Sequence, residues 1–74
     1  MPRVRTIMFT FGGTMTCVVT AELADDQLVV LSIREYASDL ELDMESVLDK
    51  YESDSEELFA QLRLACEGSE NPSG

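Results

Sequence analysis

Carboxylates are the side chains whose number and spacing in this sequence could support chemistry. Ten of the fifteen lie between Glu35 and Glu57, where the one basic residue is Lys50. Ten carboxylates against one lysine give this segment a charge of −9, while the whole chain carries −10. The acidity is therefore local, and the remaining residues sum to about neutral.

Acid–base catalysis is the first use that paired carboxylates suggest, and the sequence argues against it. Such catalysis needs a pocket that moves the pKa values of two carboxyl groups apart, and a chain of 74 residues encloses little volume. The sequence also contains no histidine, which excludes Ser–His and Cys–His nucleophiles and histidine-ligated metal sites. We therefore predict that the chain is not an enzyme.

Calcium binding is the second use. A calcium loop places oxygen ligands at alternate positions, a pattern that this sequence shows at Asp39, Glu41, Asp43 and Glu45. Counted from Asp39, however, the glycine required at the sixth position is Met44, and the glutamate required at the twelfth is Lys50. We predict neither a metal nor any other cofactor.

Binding to a basic partner is the third use, and the spacing favours it. Glu41, Glu45 and Asp49 would stack at i, i+4 on a helix, where carboxylates sit about 5–6 Å apart, close to the spacing of phosphates along a nucleic-acid strand. Each such like-charge pair destabilises the helix by about 0.2–0.5 kcal/mol. We infer that this cost is kept because binding to a partner requires the paired carboxylates. We call the predicted set the acidic surface: Asp39, Glu41, Glu45, Asp49, Glu52, Asp54, Glu56 and Glu57. Five of these, the contact carboxylates, are the predicted main contacts: Glu41, Glu45, Asp49, Glu52 and Glu56.

Solubility and a salt-loving host are two alternatives that would also account for the acidity. A charged helix face can serve solubility alone, and a salt-loving host would enrich acidic residues throughout its proteins. Uniform enrichment should also have reached the exposed face of the N-terminal segment, where Thr6, Thr10, Thr16 and Thr20 stand instead. A local binding role is therefore favoured.

The charge also defines the kind of partner. A pI near 4.1 with five basic residues argues against direct binding to nucleic acid or to anionic membranes. It favours a protein with a basic surface, such as a nucleic-acid-binding protein or complex. In size, charge and absent chemistry the chain resembles the small acidic proteins with which phages and mobile elements block host defence, the anti-CRISPR and anti-restriction DNA mimics. Those proteins share no common fold, so the resemblance assigns no residue a role.

A second functional hypothesis belongs to another class. The chain could be a small adaptor or antitoxin-like protein that binds through an apolar patch or an exposed sheet edge, with acidity serving only solubility. Salt separates the two hypotheses, because electrostatic binding weakens at high ionic strength whereas apolar binding or strand addition changes little. A homodimer formed by strand addition is a third hypothesis.

The elements that position the carboxylates begin with a β-hairpin. Apolar residues alternate from Ile7 to Phe11 and again from Met15 to Leu23. A two-residue loop at Gly12-Gly13 would put these two sets on opposite faces, so we predict a three-residue loop that ends at Thr14. The resulting register pairs Phe11 with Met15, Phe9 with Cys17, Ile7 with Val19, Thr10 with Thr16, and Thr6 with Thr20.

The next segments predict a third strand and two helices. A turn at 24–27 leads into a β-branched apolar strand at 28–33. For 38–51 two predictions compete: a helix over 39–51 capped by Ser38, or a short strand through Leu42 followed by a helix from near Asp43. A second helix, capped by Ser53, should end at Gly68. Its predicted inner face is Leu58, Phe59, Leu62, Ala65 and Cys66.

The predicted fold is therefore α+β, a three-stranded antiparallel β-meander packed against two C-terminal helices. Residues 1–67 form one small domain, and 68–74 form a disordered tail. Cys17 and Cys66 are expected to be two separate buried thiols. Threonines and Gly12-Gly13 interrupt the apolar residues of 1–21, so we expect neither a signal peptide nor a membrane helix, and a cytoplasmic location.

Overall fold

The computed structural model describes residues 2–68, which form an antiparallel sheet packed against two C-terminal helices. The sheet has four strands in the order β1-β2-β3-β4. This confirms the predicted α+β class and the meander of the first three strands. The elements are β1 (Arg3–Phe11), β2 (Met15–Ala24), β3 (Gln27–Glu35), β4 (Glu41–Leu42), α1 (Met44–Lys50) and α2 (Glu52–Gly68).

The hairpin has the predicted loop and register. Gly12 and Gly13 both have positive φ, and the Thr14 N–H donates to the Phe11 carbonyl oxygen at 3.2 Å. Every predicted pair between β1 and β2 is present. The hydroxyl oxygens of the two threonine pairs, Thr6 with Thr20 and Thr10 with Thr16, are each 2.9 Å apart.

A tight turn and a bulge place the third strand. Asp25 and Asp26 have φ of 52° and 65°, as a two-residue turn between twisted strands requires. The register between β2 and β3 shifts at Thr20/Ala21. The extra residue is Leu31, which has no partner in β2. Val30 and Ile33, on either side of this bulge, therefore both lie on the core side although they are three positions apart.

The helix predicted over 39–51 is wrong, and the competing prediction of a short strand and a later helix is confirmed. Asp39 has a φ of 61°, which ends any right-handed helical path there. Ser38 accepts from the Leu40 N–H at 3.3 Å and so caps a turn rather than a helix. Leu42 then pairs with Ile33 in the sheet, and burial against the core decides between the two patterns.

The two helices are separated at Tyr51, which caps α1 at its C-terminus. Because α2 begins at Glu52, Ser53 lies in its first turn and is not the cap that was predicted. Ser55 joins the helices instead. Its buried hydroxyl is 3.1 Å from the Leu48 carbonyl oxygen and 2.9 Å from that of Tyr51, and donates to these acceptors.

The core lies between one face of the sheet and α2. Leu58, Leu62 and Cys66 of α2 are fully buried, as predicted, whereas Phe59 is 39% exposed and not part of the core, so its predicted place on the inner face is wrong. Cys17 and Cys66 are both buried and both free, which confirms the prediction of two separate thiols. The largest fully buried side chains are Phe11, Ile33, Leu58, Leu62, Val19, Cys17 and Cys66.

The direction of α2 follows from its contacts with the two ends of β1. The Gly12 N–H, just beyond β1, donates to Asp54 in the first turn of α2. Arg3, at the start of β1, donates to the carbonyl oxygen of Cys66 near the end of α2. The helix therefore runs antiparallel to β1. The predicted tail lies, except for Gly68, outside the described residues, and over 2–68 no helix is long and apolar enough to cross a membrane.

Candidate functional site

The acidic surface is spread over three elements and the turn before them. Asp39 lies in the turn that precedes β4, and Glu41 lies on β4, so the predicted stacking of Glu41 with Glu45 on one helix is wrong. Glu45 and Asp49 lie on α1. All of the acidic surface is exposed except Asp54, which is half-buried. Its members on α2 are Glu52, Asp54, Glu56 and Glu57.

Three of these eight carboxylates have partners within the protein. Asp39 lies 3.6 Å from the guanidinium of Arg34. Glu57 accepts from the amide of Gln61 at 3.1 Å. Asp54 accepts from the backbone N–H of Gly12 at 2.7 Å, and this contact ties the hairpin loop to the first turn of α2. The structure thus gives Asp54 a structural partner that its sequence position does not indicate.

The other five are the contact carboxylates, and within residues 2–68 their side chains form no hydrogen bond and no ion pair. Two pairs have i, i+4 spacing: Glu45 with Asp49 on α1, and Glu52 with Glu56 on α2. Side chains at this spacing are neighbours on a helix surface, about 5–6 Å apart at their Cβ atoms. Glu45 and Asp49 also flank Ser46 in a shallow depression of about 350 Å³.

The nearby basic side chains are engaged elsewhere. Arg63 donates to Asp26 at 3.0 Å and to Glu67 at 3.4 Å. The ammonium of Lys50 lies 5.5 Å from the centre of the Tyr51 ring, in a cation–π contact. The contact carboxylates therefore have no described cation against them, and their mutual repulsion is uncompensated.

Asp43 was not part of the predicted set, and the structure explains its place. It is the N-cap of α1, where its carboxylate accepts from the backbone N–H of Ser46 at 3.2 Å and from the hydroxyl of Ser46 at 2.6 Å. Asp is a strong N-cap because its oxygen satisfies an N–H that the helix leaves unpaired. This carboxylate therefore serves the local fold.

An apolar cleft between β3 and α2 was not predicted from the sequence. Leu28 and Val29 form one wall and Phe59 and Ala60 the other, and the cleft measures about 500 Å³. Arg63, paired with Asp26, stands at its rim. The large apolar side chain of Phe59 could have indicated this cleft, but its helical spacing led us to predict that it lies in the core.

The outer face of the sheet also carries exposed apolar side chains. Val4 and Met8 of β1 and Val29 and Leu31 of β3 all belong to this group. The alternation in β1 indicated it, because Val4 and Met8 occupy the same face as the threonines. The face is therefore mixed, with hydroxyl rows and apolar rows side by side.

Metal and thiol chemistry add little to this surface. Among residues 2–68, no group of three His, Cys, Asp or Glu side chains is placed to hold a metal ion. Burial raises the pKa of the Cys17 thiol, and the carboxylate of Glu35 raises it further. Cys17 is therefore held as a neutral thiol, which is a poor nucleophile and a poor metal ligand.

Comparison with family models, with curated proteins and with solved structures finds no match to this chain.

Proposed function

We propose that this chain is a non-enzymatic inhibitor that binds the basic nucleic-acid-binding site of another protein and acts there as a DNA mimic. The observation that carries the proposal is the set of contact carboxylates, which are exposed and unpaired within the described residues. In the cell, this activity belongs to phage or mobile-element counter-defence, of the anti-CRISPR or anti-restriction kind.

The contact carboxylates carry negative charge that no cation within residues 2–68 neutralises. A carboxylate engaged with a protein cation must break that contact before it binds another. The contact carboxylates have no such contact to break, and Lys or Arg side chains of a partner would relieve the repulsion within the Glu45–Asp49 and Glu52–Glu56 pairs. Arginine forks lining a nucleic-acid groove suit such paired carboxylates because they bind them in a bidentate manner.

The first experiment is affinity capture from a bacterial lysate, with elution by rising salt and identification of the bound protein. The proposal requires a nucleic-acid-binding protein that elutes with salt, because an interface built on exposed charges is screened at high ionic strength. Retention of a partner that resists salt, or one without a nucleic-acid role, contradicts it.

Two charge-reversal variants then locate the interface. The test variant is Asp49→Lys with Glu56→Lys, and its control is Glu22→Lys with Glu67→Lys. Each variant makes the chain four charges less negative, so both lose the same long-range attraction. Only the first changes contact carboxylates, so it should abolish binding while the control keeps most of it. Equal loss in both variants would mean that net charge, and not this surface, drives binding.

The adaptor hypothesis retains one specific observation in its favour. The cleft between β3 and α2 exposes Phe59 and Val29 beside a strand edge, and a peptide could bind there through apolar contacts. A Phe59→Ser variant separates the two functions. It leaves the acidic surface unchanged, so loss of partner binding in this variant favours the adaptor.

A further inference from the structure

Among residues 2–68, the edge of the sheet at β1 has no strand against it and has fewer features that oppose pairing than the opposite edge. β1 is nine residues long, contains no proline and pairs with β2 without a bulge. At the opposite edge, β4 covers Ile33 and Arg34, and a bulge at Leu31 interrupts the rest of β3. Proteins use short edge strands, bulges, prolines and charged side chains to prevent strands from adding to a sheet. β1 has only the last of these, Arg3 and Arg5 near its N-terminal end, and none along residues 6–11.

The direction of the backbone groups shows which residues of β1 offer hydrogen bonds. The carbonyl oxygen of Thr16 in β2 points to β3, because it accepts from the Tyr36 N–H at 2.9 Å. Thr10 lies directly opposite Thr16, so its own N–H and C=O point away from β2. The same direction recurs at every second residue, and the outward groups belong to Val4, Thr6, Met8 and Thr10. The carbonyl oxygen of Val4 already accepts from the Arg5 guanidinium at 2.8 Å, so a new strand would have to displace that contact.

Apolar surface accompanies these backbone groups. Met8 and Val4 of β1 are 56% and 49% exposed on the outer face. On the inner face, Ile7 is only half-buried, while Val19, its partner in β2, is fully buried. The core is thus complete over β2 and at Phe9 and Phe11 of β1, and incomplete around Ile7, which an added strand would cover.

Charge selects the occupant of this edge. β1 carries no carboxylate, which makes it the strand at which two copies of a chain with charge −10 repel least. Its far end meets Asp54, which holds the Gly12 N–H. Antiparallel pairing of two β1 strands about Ile7 would set Arg3 of one copy opposite Phe11 of the other, next to that carboxylate. The two Asp54 carboxylates would then lie at opposite ends of the paired strands, which limits the repulsion between them.

We propose that the chain forms a two-fold symmetric homodimer in which two β1 strands pair in antiparallel fashion. The pairing is centred on Ile7, so all nine residues of each β1 have a partner and the two sheets become one of eight strands. The two copies of β4 then lie at the outer edges of this sheet, which keeps each Glu41 far from the dyad. This inference stands apart from the proposed function, because it concerns the chain alone.

Sedimentation of the purified chain tests the dimer, with two variants at Met8 as the matched pair. Wild type should sediment at twice the 8.2 kDa of one chain. Met8→Pro removes an outward N–H without touching the bonds to β2, and edge strands tolerate proline at such positions. It should give a folded monomer, as judged by circular dichroism, whereas Met8→Ala keeps the N–H and should remain a dimer. Monomeric wild type, or a folded Met8→Pro variant that is still a dimer, overturns the proposal.

Two further measurements decide the matter if the proline variant does not fold. Hydrogen exchange of the backbone N–H groups of Thr6, Met8 and Thr10 in wild type should slow as protein concentration rises, and unchanged exchange there contradicts the pairing.

A Thr6→Cys, Met8→Cys double variant tests the register. The proposed pairing places the cysteine at position 6 of one copy opposite the cysteine at position 8 of the other, within disulfide reach. Oxidation should therefore link it into dimers, while wild type, whose Cys17 and Cys66 are buried, should not be linked; absence of linkage overturns this register.

Discussion

At Gly12 the hairpin loop contacts both Tyr51, the C-cap of α1, and Asp54 of α2. Its φ is 62°, and a Cβ placed there would lie 2.9 Å from Cε1 of Tyr51. Gly13 has a similar φ of 76° but open space around it. An alanine at either position pays about 1–2 kcal/mol for the left-handed backbone, and only Gly12→Ala adds an overlap, which costs about 1–3 kcal/mol more.

Urea unfolding of Gly12→Ala and Gly13→Ala therefore gives a direct comparison. We expect the Gly12 variant to lose more free energy of unfolding than its neighbour. Equal losses would show that the Tyr51 ring moves aside at no cost, and that the loop does not pack tightly on the helices.

Cys17 gives the fold a dependence on high pH. Burial and the nearby Glu35 raise its pKa in the folded protein, so the unfolded chain releases this proton at a lower pH than the folded one. The neutral thiol's contribution to stability is therefore complete below the unfolded pKa of about 8.5 and is lost as pH rises through the folded value.

Comparison with Cys17→Ala isolates that contribution, because the other titrating groups are common to both proteins. The free energy of unfolding of wild type should fall relative to the variant between pH 7 and pH 10. A difference that stays constant over this range would mean that the thiol titrates alike in the folded and unfolded states.

Asp54 shows what residue patterns omit. Its place among other acids predicted a surface contact, whereas the structure gives it the N–H of Gly12, 42 positions away. Nothing in the local spacing of carboxylates indicates a bond to a distant backbone group. By contrast, the exposure of the contact carboxylates could be predicted from the local pattern of charges, because it depends on no contact with a distant residue.

At the scale of elements, the hairpin and the segment after β3 show why prediction succeeded in one place and failed in another. The register of β1 with β2 followed from the requirement that Phe11 and Met15 share a face, and only one loop length satisfied it. Residues 38–44 satisfied both helical and strand periods. The decision came from Leu42, which pairs with Ile33 against the core, a tertiary contact that no local pattern contains.

Helix α2 packs against the core through one face only, and substitutions at two of its leucines would compare the stability contributed by the buried and the exposed face. Leu58 is fully buried, whereas Leu64 is 68% exposed. Leu58→Ala should lower the free energy of unfolding by about 2–5 kcal/mol because it leaves a cavity. Leu64→Ala is the control and should change it by no more than about 0.5 kcal/mol. A large effect at Leu64 would indicate that this leucine is covered in solution by another molecule.

In the whole molecule, the acidic surface and the β1 edge lie at opposite ends of the sheet. β1 carries only basic charge, and the acidic surface begins beside β4 at the other end of the sheet and continues along the helices. Sequence predicted the local acidity and the meander, but the location of β1 at a free edge depends on strand order. The separation would let the proposed dimer form at one edge while the contact carboxylates bind the proposed basic partner.

Competition with DNA tests the central claim most directly. The protein captured from the lysate would be bound to a labelled DNA duplex and titrated with this chain at low and at high ionic strength. If the chain is a DNA mimic, it should displace the DNA, and its affinity for the protein should fall steeply as salt rises. Formation of a complex that contains both DNA and the chain, or an affinity that salt does not change, would contradict the proposal that the acidic surface imitates nucleic acid.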